Sequence, residues 1–166
     1  SLSSMTRCFS ENVDVTVDIS NTSGPIIFND CEFKNGDNGL RITSSNLLTI
    51  KDSKINTMND EAVYINTVST VNILGSNIDY NGIGIHAIDV TQLIFDESAN
   101  TNTTLNNNVT TAINGLRSNI YLRNNTQVNN NVHHAIELEG TYTSADAELI
   151  IGDFGCIEMK NNAWGG

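Results

Sequence analysis

Proline is almost missing from this 166-residue chain, where Pro25 stands alone. A residue without an amide donor is excluded from central strands, so its scarcity fits a chain in which nearly every backbone N–H is needed for a ladder. Cations are also few: 8 Lys and Arg against 19 Asp and Glu, a formal charge of −11. That deficit argues against a nucleic-acid partner, whose phosphates are held by Lys and Arg, and against anionic membrane surfaces. No apolar run exceeds a few residues, too short for a membrane-spanning helix, so membrane insertion is not expected. Aromatics make up only 6% of the chain. This scarcity does not indicate disorder, because the apolar residues recur in register instead of being scattered. The three cysteines, Cys8, Cys31 and Cys156, are too few for a disulfide framework. Cys31 falls at a small inward position and reads as a core filler. Cys8 lies 23 residues, one repeat, before it. Alignment of the repeats sets the two one position out of register, which aims their side chains differently.

What the chain has is repetition. A small residue followed by an apolar-x-apolar pair returns every 22 to 28 residues: Thr16-Val17-Asp18-Ile19, Gly39-Leu40-Arg41-Ile42, Ala62-Val63-Tyr64-Ile65, Gly84-Ile85-His86-Ala87, Ala112-Ile113-Asn114-Gly115, Ala135-Ile136-Glu137-Leu138, and a truncated Ala163-Trp164. A second apolar-x-apolar piece follows in each copy, from Ile26/Phe28 to Leu149/Ile151. A third sets a small residue two before a large one: Cys31/Phe33, Ser53/Ile55, Ser76/Ile78, Thr103/Leu105, Thr126/Val128 and Gly155/Ile157. Alternation at period two puts the named residues on one face of a strand. Helices are disfavoured by that spacing and by the abundance of β-branched residues, Asn and Ser. The expected fold is all-β: one domain over residues 1–166, a single-stranded parallel β-helix of about seven rungs of roughly 23 residues, with three short strands per rung. Asn, about one residue in six, clusters just past the third strand (Asn12, Asn35, Asn59, Asn81, Asn106 to Asn108, Asn129 to Asn131). There it is expected to supply left-handed corner geometry and amide ladders.

The outward position between the first apolar pair carries Asp18, Arg41, Tyr64, His86, Asn114 and Glu137 in successive rungs. This stripe is the candidate ligand face, with Tyr64 as a stacking surface for a sugar and Arg41 for a carboxylate. Asn66, Asp89, His134 and Glu139 lie around it. Two rungs are longer, with extra residues at corners near Asp96 to Asn102 and Glu139 to Ala147. Asp96, Glu97 and Tyr142 are therefore candidate loop contacts. No catalytic residues are expected, because the carboxylates alternate with Arg41, Tyr64 and Asn114 instead of clustering as a lyase or a hydrolase requires. Asp52, Asp60 and Glu61 are the nearest approach to an acidic patch and fall on different corners. No metal or cofactor is expected: His86, His133 and His134 lack ligand spacing, and there is no glycine-rich phosphate loop. Sequons occur at Asn21, Asn102, Asn108 and Asn124.

The repeat resembles passenger domains of the polymorphic outer-membrane protein and related autotransporter-adhesin families, with their F-x-x-N and G-G-A-(I/L/V) motifs. Phe9-Ser10-Glu11-Asn12 matches the first motif. Ile78-Asp79-Tyr80-Asn81, Leu105-Asn106-Asn107-Asn108 and Val128-Asn129-Asn130-Asn131 match it with an aliphatic in place of Phe. The second appears in reduced form as Glu61-Ala62-Val63, Thr111-Ala112-Ile113 and His134-Ala135-Ile136. The resemblance implies a right-handed, pectate-lyase-like β-helix that is extracellular or on the cell surface. The expected role is non-enzymatic, as an adhesin, stalk, fibre or sheath. The alternative is a carbohydrate-binding or polysaccharide-cleaving module (a lyase or a glycoside hydrolase) that takes a glycan along the stripe. Polar sequence already in the rhythm at the start, and a partial rung at the finish, lead to an expectation of a fragment or of end rungs that self-associate head to tail.

Overall fold

A computed structural model describes residues 3–99, 101–140, 148–151, 159–160 and 162. In chain order the strands are β1 (Ser3–Thr6), β2 (Phe9–Glu11), β3 (Val15–Thr22), β4 (Ile26–Asn29), β5 (Glu32–Lys34), β6 (Asn38–Lys51) and β7 (Lys54–Asn56). They continue as β8 (Glu61–Leu74), β9 (Ile83–Ile88), β10 (Gln92–Asp96), β11 (Thr111–Leu116), β12 (Asn119–Leu122), β13 (His134–Glu139) and β14 (Glu148–Ile151). All strand-to-strand pairings are parallel, each with the strand one turn away. The molecule is a parallel β-solenoid of about six turns, close to the seven expected. The seventh copy, at Ala163-Trp164, lies outside the described residues, as do Gly155 and Ile157.

Three faces make each turn. β3, β6, β8, β9, β11 and β13 stack as the first face, and β1, β4, β6, β8, β10, β12 and β14 as the second. β6 and β8 run through the corner between the two without a break. The third face is less regular than expected. It is a strand in β2, β5 and β7, then shrinks to single bridging residues Asn77, Thr104 and Gln127. The cause is a change of hydrogen-bond acceptor. The N–H groups of Asp79, Asn106 and Asn129 donate to the side-chain oxygens of Asn56, Asp79 and Asn106 one turn before them. Side chains there do the work that backbone carbonyls do elsewhere.

The inward residues are those the alternation marks. Val17, Leu40, Val63, Ile85, Ile113 and Ile136 stack in register, as do Ile19, Ile42, Ile65, Ala87, Gly115 and Leu138. From Leu40 to Ile113 the first column is wholly buried, and each large aliphatic contributes about 1.5–3 kcal/mol by leaving water. The small residue at each repeat start is set by crowding. A Cβ on Gly39 would lie 2.3 Å from the Ala62 carbonyl oxygen, and one on Gly84 would lie 2.4 Å from that of Ala112.

Every turn bends at three corners, and a residue of left-handed backbone recurs at each. After the first face these are Asn21, Ser44, Thr67, Asp89 and Arg117. After the second they include Arg7, Asp30, Asp52 and Gly75. After the third they are Asn12, Asn35, Thr57, Tyr80, Asn107 and Asn130, with φ of 57–62°. Asn therefore takes the corner role at Asn12, Asn35, Asn107 and Asn130, as expected. Asn81, Asn108 and Asn131 do not. They follow the corner residue, point inward and are buried.

Those buried amides form a ladder. The Oδ1 of Asn108 accepts the N–H and the Nδ2–H of Asn81, at 3.0 and 3.2 Å. Asn131 does the same for Asn108, and Asn162 for Asn131. Each Nδ2 also donates to a carbonyl of the preceding turn: Ile55, Ile78, Leu105 and Val128. A second ladder uses hydroxyls at the small position of the third face. The N–H of Cys31 donates to Ser53 Oγ, that of Ser53 to Ser76 Oγ, and that of Ser76 to Thr103 Oγ1. Among the described residues no buried side-chain polar atom lacks a partner, as a low-dielectric interior requires.

The first copy of the F-x-x-N motif is shifted. Ser10, not Phe9, pairs with Phe33, so Phe9 faces outward, 60% exposed, with the Lys34 ammonium 5.2 Å from its ring centre. The same register puts Cys8 level with Cys31: Phe9 pairs with Glu32, and the Glu32 N–H donates to the Cys8 carbonyl at 2.8 Å. The one-residue offset expected between the two cysteines is thus corrected. A bulky Phe misled the alignment, because the inward place is held by Ser10.

Candidate functional site

Strand alternation carries the candidate stripe outward from the first face, and the ladder sets its spacing. Asp18 pairs with Arg41, Arg41 with Tyr64, Tyr64 with His86, His86 with Asn114, and Asn114 with Glu137. All six stand in one column at about 4.8 Å per step. Asp18, Arg41 and Glu137 are exposed, whereas Tyr64, His86 and Asn114 are partly buried.

The middle of the column is knit together. The Arg41 guanidinium lies 5.4 Å from the Tyr64 ring centre. The His86 ring meets Tyr64 edge to face at 5.4 Å and 89°. Asn66 Nδ2 donates to the Tyr64 hydroxyl at 3.2 Å. Tyr64 is therefore engaged by its own neighbours, which limits the open stacking surface expected of it.

Glu61 completes the cluster, a role that the sequence did not disclose. It begins β8 level with Ile83, and its Oε1 lies 2.5 Å from His86 Nδ1. A carboxylate only accepts, so Nδ1 carries the proton there. That leaves His86 Nε2 without a hydrogen-bond partner among the described residues. The separation of Glu61 and His86, one turn plus three residues, was a signal in the sequence. Reading Glu61 only as a corner residue concealed it. Beside this group lies a hollow of about 230 Å³ lined by Val15, Asn38, Arg41, Asp60, Glu61 and Tyr64. Chemically it offers two carboxylates, a guanidinium, an amide and a phenol from two adjacent turns, a mixture suited to hydroxyl-rich ligands.

The flanks behave differently. Beyond the column the outward line runs Thr43, Asn66, Ile88, Leu116 and Glu139, aliphatic at Ile88 and Leu116 and polar on either side of them. His134 Nδ1 and Glu137 Oε2 are 3.8 Å apart. Asp89 receives the Arg117 guanidinium at 2.6 and 2.8 Å, and these bonds hold its pKa below the ordinary carboxylate value. Asp96 and Glu97 accept the side-chain amides of Asn124 and Asn125 at 2.8 and 2.9 Å. The loop carboxylates thus tie one turn to the next. Tyr142 lies outside the described residues. Of the sequons, Asn108 is a buried ladder residue, Asn124 donates to Asp96, and Asn21 is exposed.

Of the three acidic residues expected on different corners, only Asp52 stands apart, at the corner after the second face; Asp60 and Glu61 adjoin ahead of the first and line the same hollow. No protein-family model, curated protein or solved structure matches the chain.

Proposed function

We propose that the protein is a non-enzymatic β-solenoid of the cell surface or extracellular space, adhesive or structural in role. It serves as a stalk, or as a subunit of a fibre or sheath, and is right-handed like the autotransporter passengers that its repeat resembles. The observation that carries this reading is the unbroken register of the first face through six strands, over an interior whose polar atoms are all satisfied among the described residues. Such a rod is stiff along its axis and holds surface groups at fixed intervals. Two of its carboxylates at the ends of the first face are held by neighbouring turns, Glu61 by the His86 imidazole and Asp89 by Arg117, which suits display better than turnover of a substrate.

In the fibre form, copies stack head to tail. Met5, Val13 and Val15 in the first described turn are 39–42% exposed and supply apolar surface for that contact. Electron microscopy and sedimentation over a range of concentrations test it. End-to-end rods are expected, and their loss in a Met5→Asp, Val15→Asp double variant. Single rods at every concentration would sink the fibre form and leave the adhesive one.

A second reading is favoured by the hollow beside Glu61 and His86: a carbohydrate-binding or polysaccharide-cleaving face. Arg41→Ala, Tyr64→Ala and His86→Ala should each then weaken glycan binding at least tenfold on an array. Assays for new reducing ends and unsaturated products separate binding from cleavage. Glycan binding that is absent, or untouched by all three substitutions, removes this reading.

A further inference from the structure

The hydroxyl ladder of the third face breaks off at its N-terminal end. Ser53, Ser76, Thr103 and Thr126 occupy the small position in successive turns, and the N–H groups of Cys31, Ser53 and Ser76 donate to the hydroxyls of Ser53, Ser76 and Thr103. The first two turns carry Cys8 and Cys31 there instead. Sulfur is a weak acceptor, so a thiol offers the preceding turn a weaker bond than a serine would. Two adjacent turns share the exchange, and the register makes them neighbours.

Three observations bear on what the pair does. Cα atoms at matched positions of neighbouring parallel strands lie about 4.8 Å apart, inside the range that a disulfide spans, about 4.4–6.8 Å. Each thiol donates to a backbone carbonyl, Cys8 to that of Thr6 and Cys31 to those of Met5 and Asn29, and Cys8 is close enough to act on the Cys31 thiol electrostatically. A hollow of about 360 Å³ opens onto both, lined also by Arg7, Phe9, Asp30 and Lys54. Cys8 is partly exposed and Cys31 is buried, so a small reagent has a way in.

We propose that Cys8 and Cys31 are an oxidisable pair that closes to a disulfide, stapling the first turn to the second. The oxidant is a low-molecular-weight disulfide. The Cys8 thiolate attacks one of its sulfurs, forming a mixed disulfide and releasing one thiol. Cys31, after losing its proton, attacks the Cys8 sulfur and releases the second thiol. Two protein thiols are oxidised, one small disulfide is reduced to two thiols, and both protons end on those leaving groups. Burial raises the pKa of the Cys31 thiol, so the second step quickens as pH rises.

The test is exposure of the folded protein, and of a Cys156→Ser variant, to oxidised glutathione at pH 7 and 9, followed by quenching and trypsin. Cleavage after Arg7 and Lys34 leaves both cysteines in one peptide, which becomes about 2 Da lighter if they pair. The Cys156→Ser variant should lose both thiols in a denaturing titration, regain them with reductant, and melt several degrees higher when oxidised. Cys8→Ser and Cys31→Ser should each prevent the mass loss. A peptide that stays reduced, or one that stops at a glutathione adduct on Cys8 at both pH values, overturns the proposal.

Discussion

The two halves of the solenoid solve one packing problem with different chemistry. At the inward position after the third corner, the early turns carry Gly36 and Met58, and the later ones carry Asn81, Asn108, Asn131 and Asn162. Met58 marks the junction, since its N–H still donates to Asn81 Oδ1 at 3.0 Å. The apolar half gains from burial and tolerates variation in shape. The amide half gains from a chain of bonds in which each member is needed by its neighbours. The third face registers the difference: continuous strand in β2, β5 and β7, single bridges where the asparagines take over. A backbone that hands its donors to side chains gives up strand regularity, but it loses no hydrogen bonds.

Substitutions should separate the halves. The largest effect is expected at Asn108→Ala, which leaves the Asn81 N–H and one hydrogen of its side-chain amide buried without an acceptor and frees the Ile78 carbonyl. A loss of about 3–5 kcal/mol in urea unfolding is expected, whereas Met58→Leu at the junction should cost about 1 kcal/mol. Equal losses would erase the distinction between amide and apolar packing. Gly39→Ala comes next. Its added Cβ meets the Ala62 backbone as well as the buried Ile55 side chain, so about 2–3 kcal/mol is expected from the same measurement. Ser76→Ala removes one hydroxyl rung and strands the Ser53 N–H. About 1–2 kcal/mol should follow, and a loss as large as that of Asn108→Ala would put the hydroxyl and amide ladders on the same footing.

Asp79 sharpens the comparison through pH. It occupies an otherwise amide series (Asn56, Asp79, Asn106, Asn129). Desolvation raises its pKa above 3.8, against the bonds from the Asn106 N–H and Thr104 that lower it. The folded state therefore holds the proton more tightly than the unfolded chain does. Its favourable contribution is full below the unfolded pKa and is lost as pH rises through the folded one. Asp79→Asn keeps the acceptor and should stabilise the protein at pH 7 by about 1 kcal/mol, flattening that part of the pH profile. No gain at pH 7 would contradict a net cost of burying the charge. The smallest effect is expected at Arg117→Ala, a partly buried partner of the exposed Asp89. The Asp89 pKa is lowered, so the pair's contribution exists above the unfolded pKa and fades as pH falls through the folded one; a melting series from pH 7 to 2 reads it.

Much of this was legible in the chain. Period-two alternation gave the inward columns and the outward line from Asp18 to Glu137 residue by residue, because a one-residue slip would turn every apolar side chain to solvent. Legibility failed where a residue's size or type suggested the wrong role. Phe9 was read as inward because it is large, yet Ser10 holds that place. Corner geometry and amide ladders are expected of the asparagines as one group, although position alone divides them between left-handed backbone and buried ladder. The motif that Glu61 opens speaks only to the coil, and its contact with His86 is a diagonal across turns.

The sequence by itself determined the solenoid, its repeat length and the face each strand buries, because those follow from local periodicity and the cost of exposing apolar surface. Only the tertiary structure decided which side chains meet across turns: Cys8 beside Cys31, Glu61 on His86, and one asparagine on the next. Contacts between turns depend on the length of each corner, and corner length sets the register that brings distant residues level.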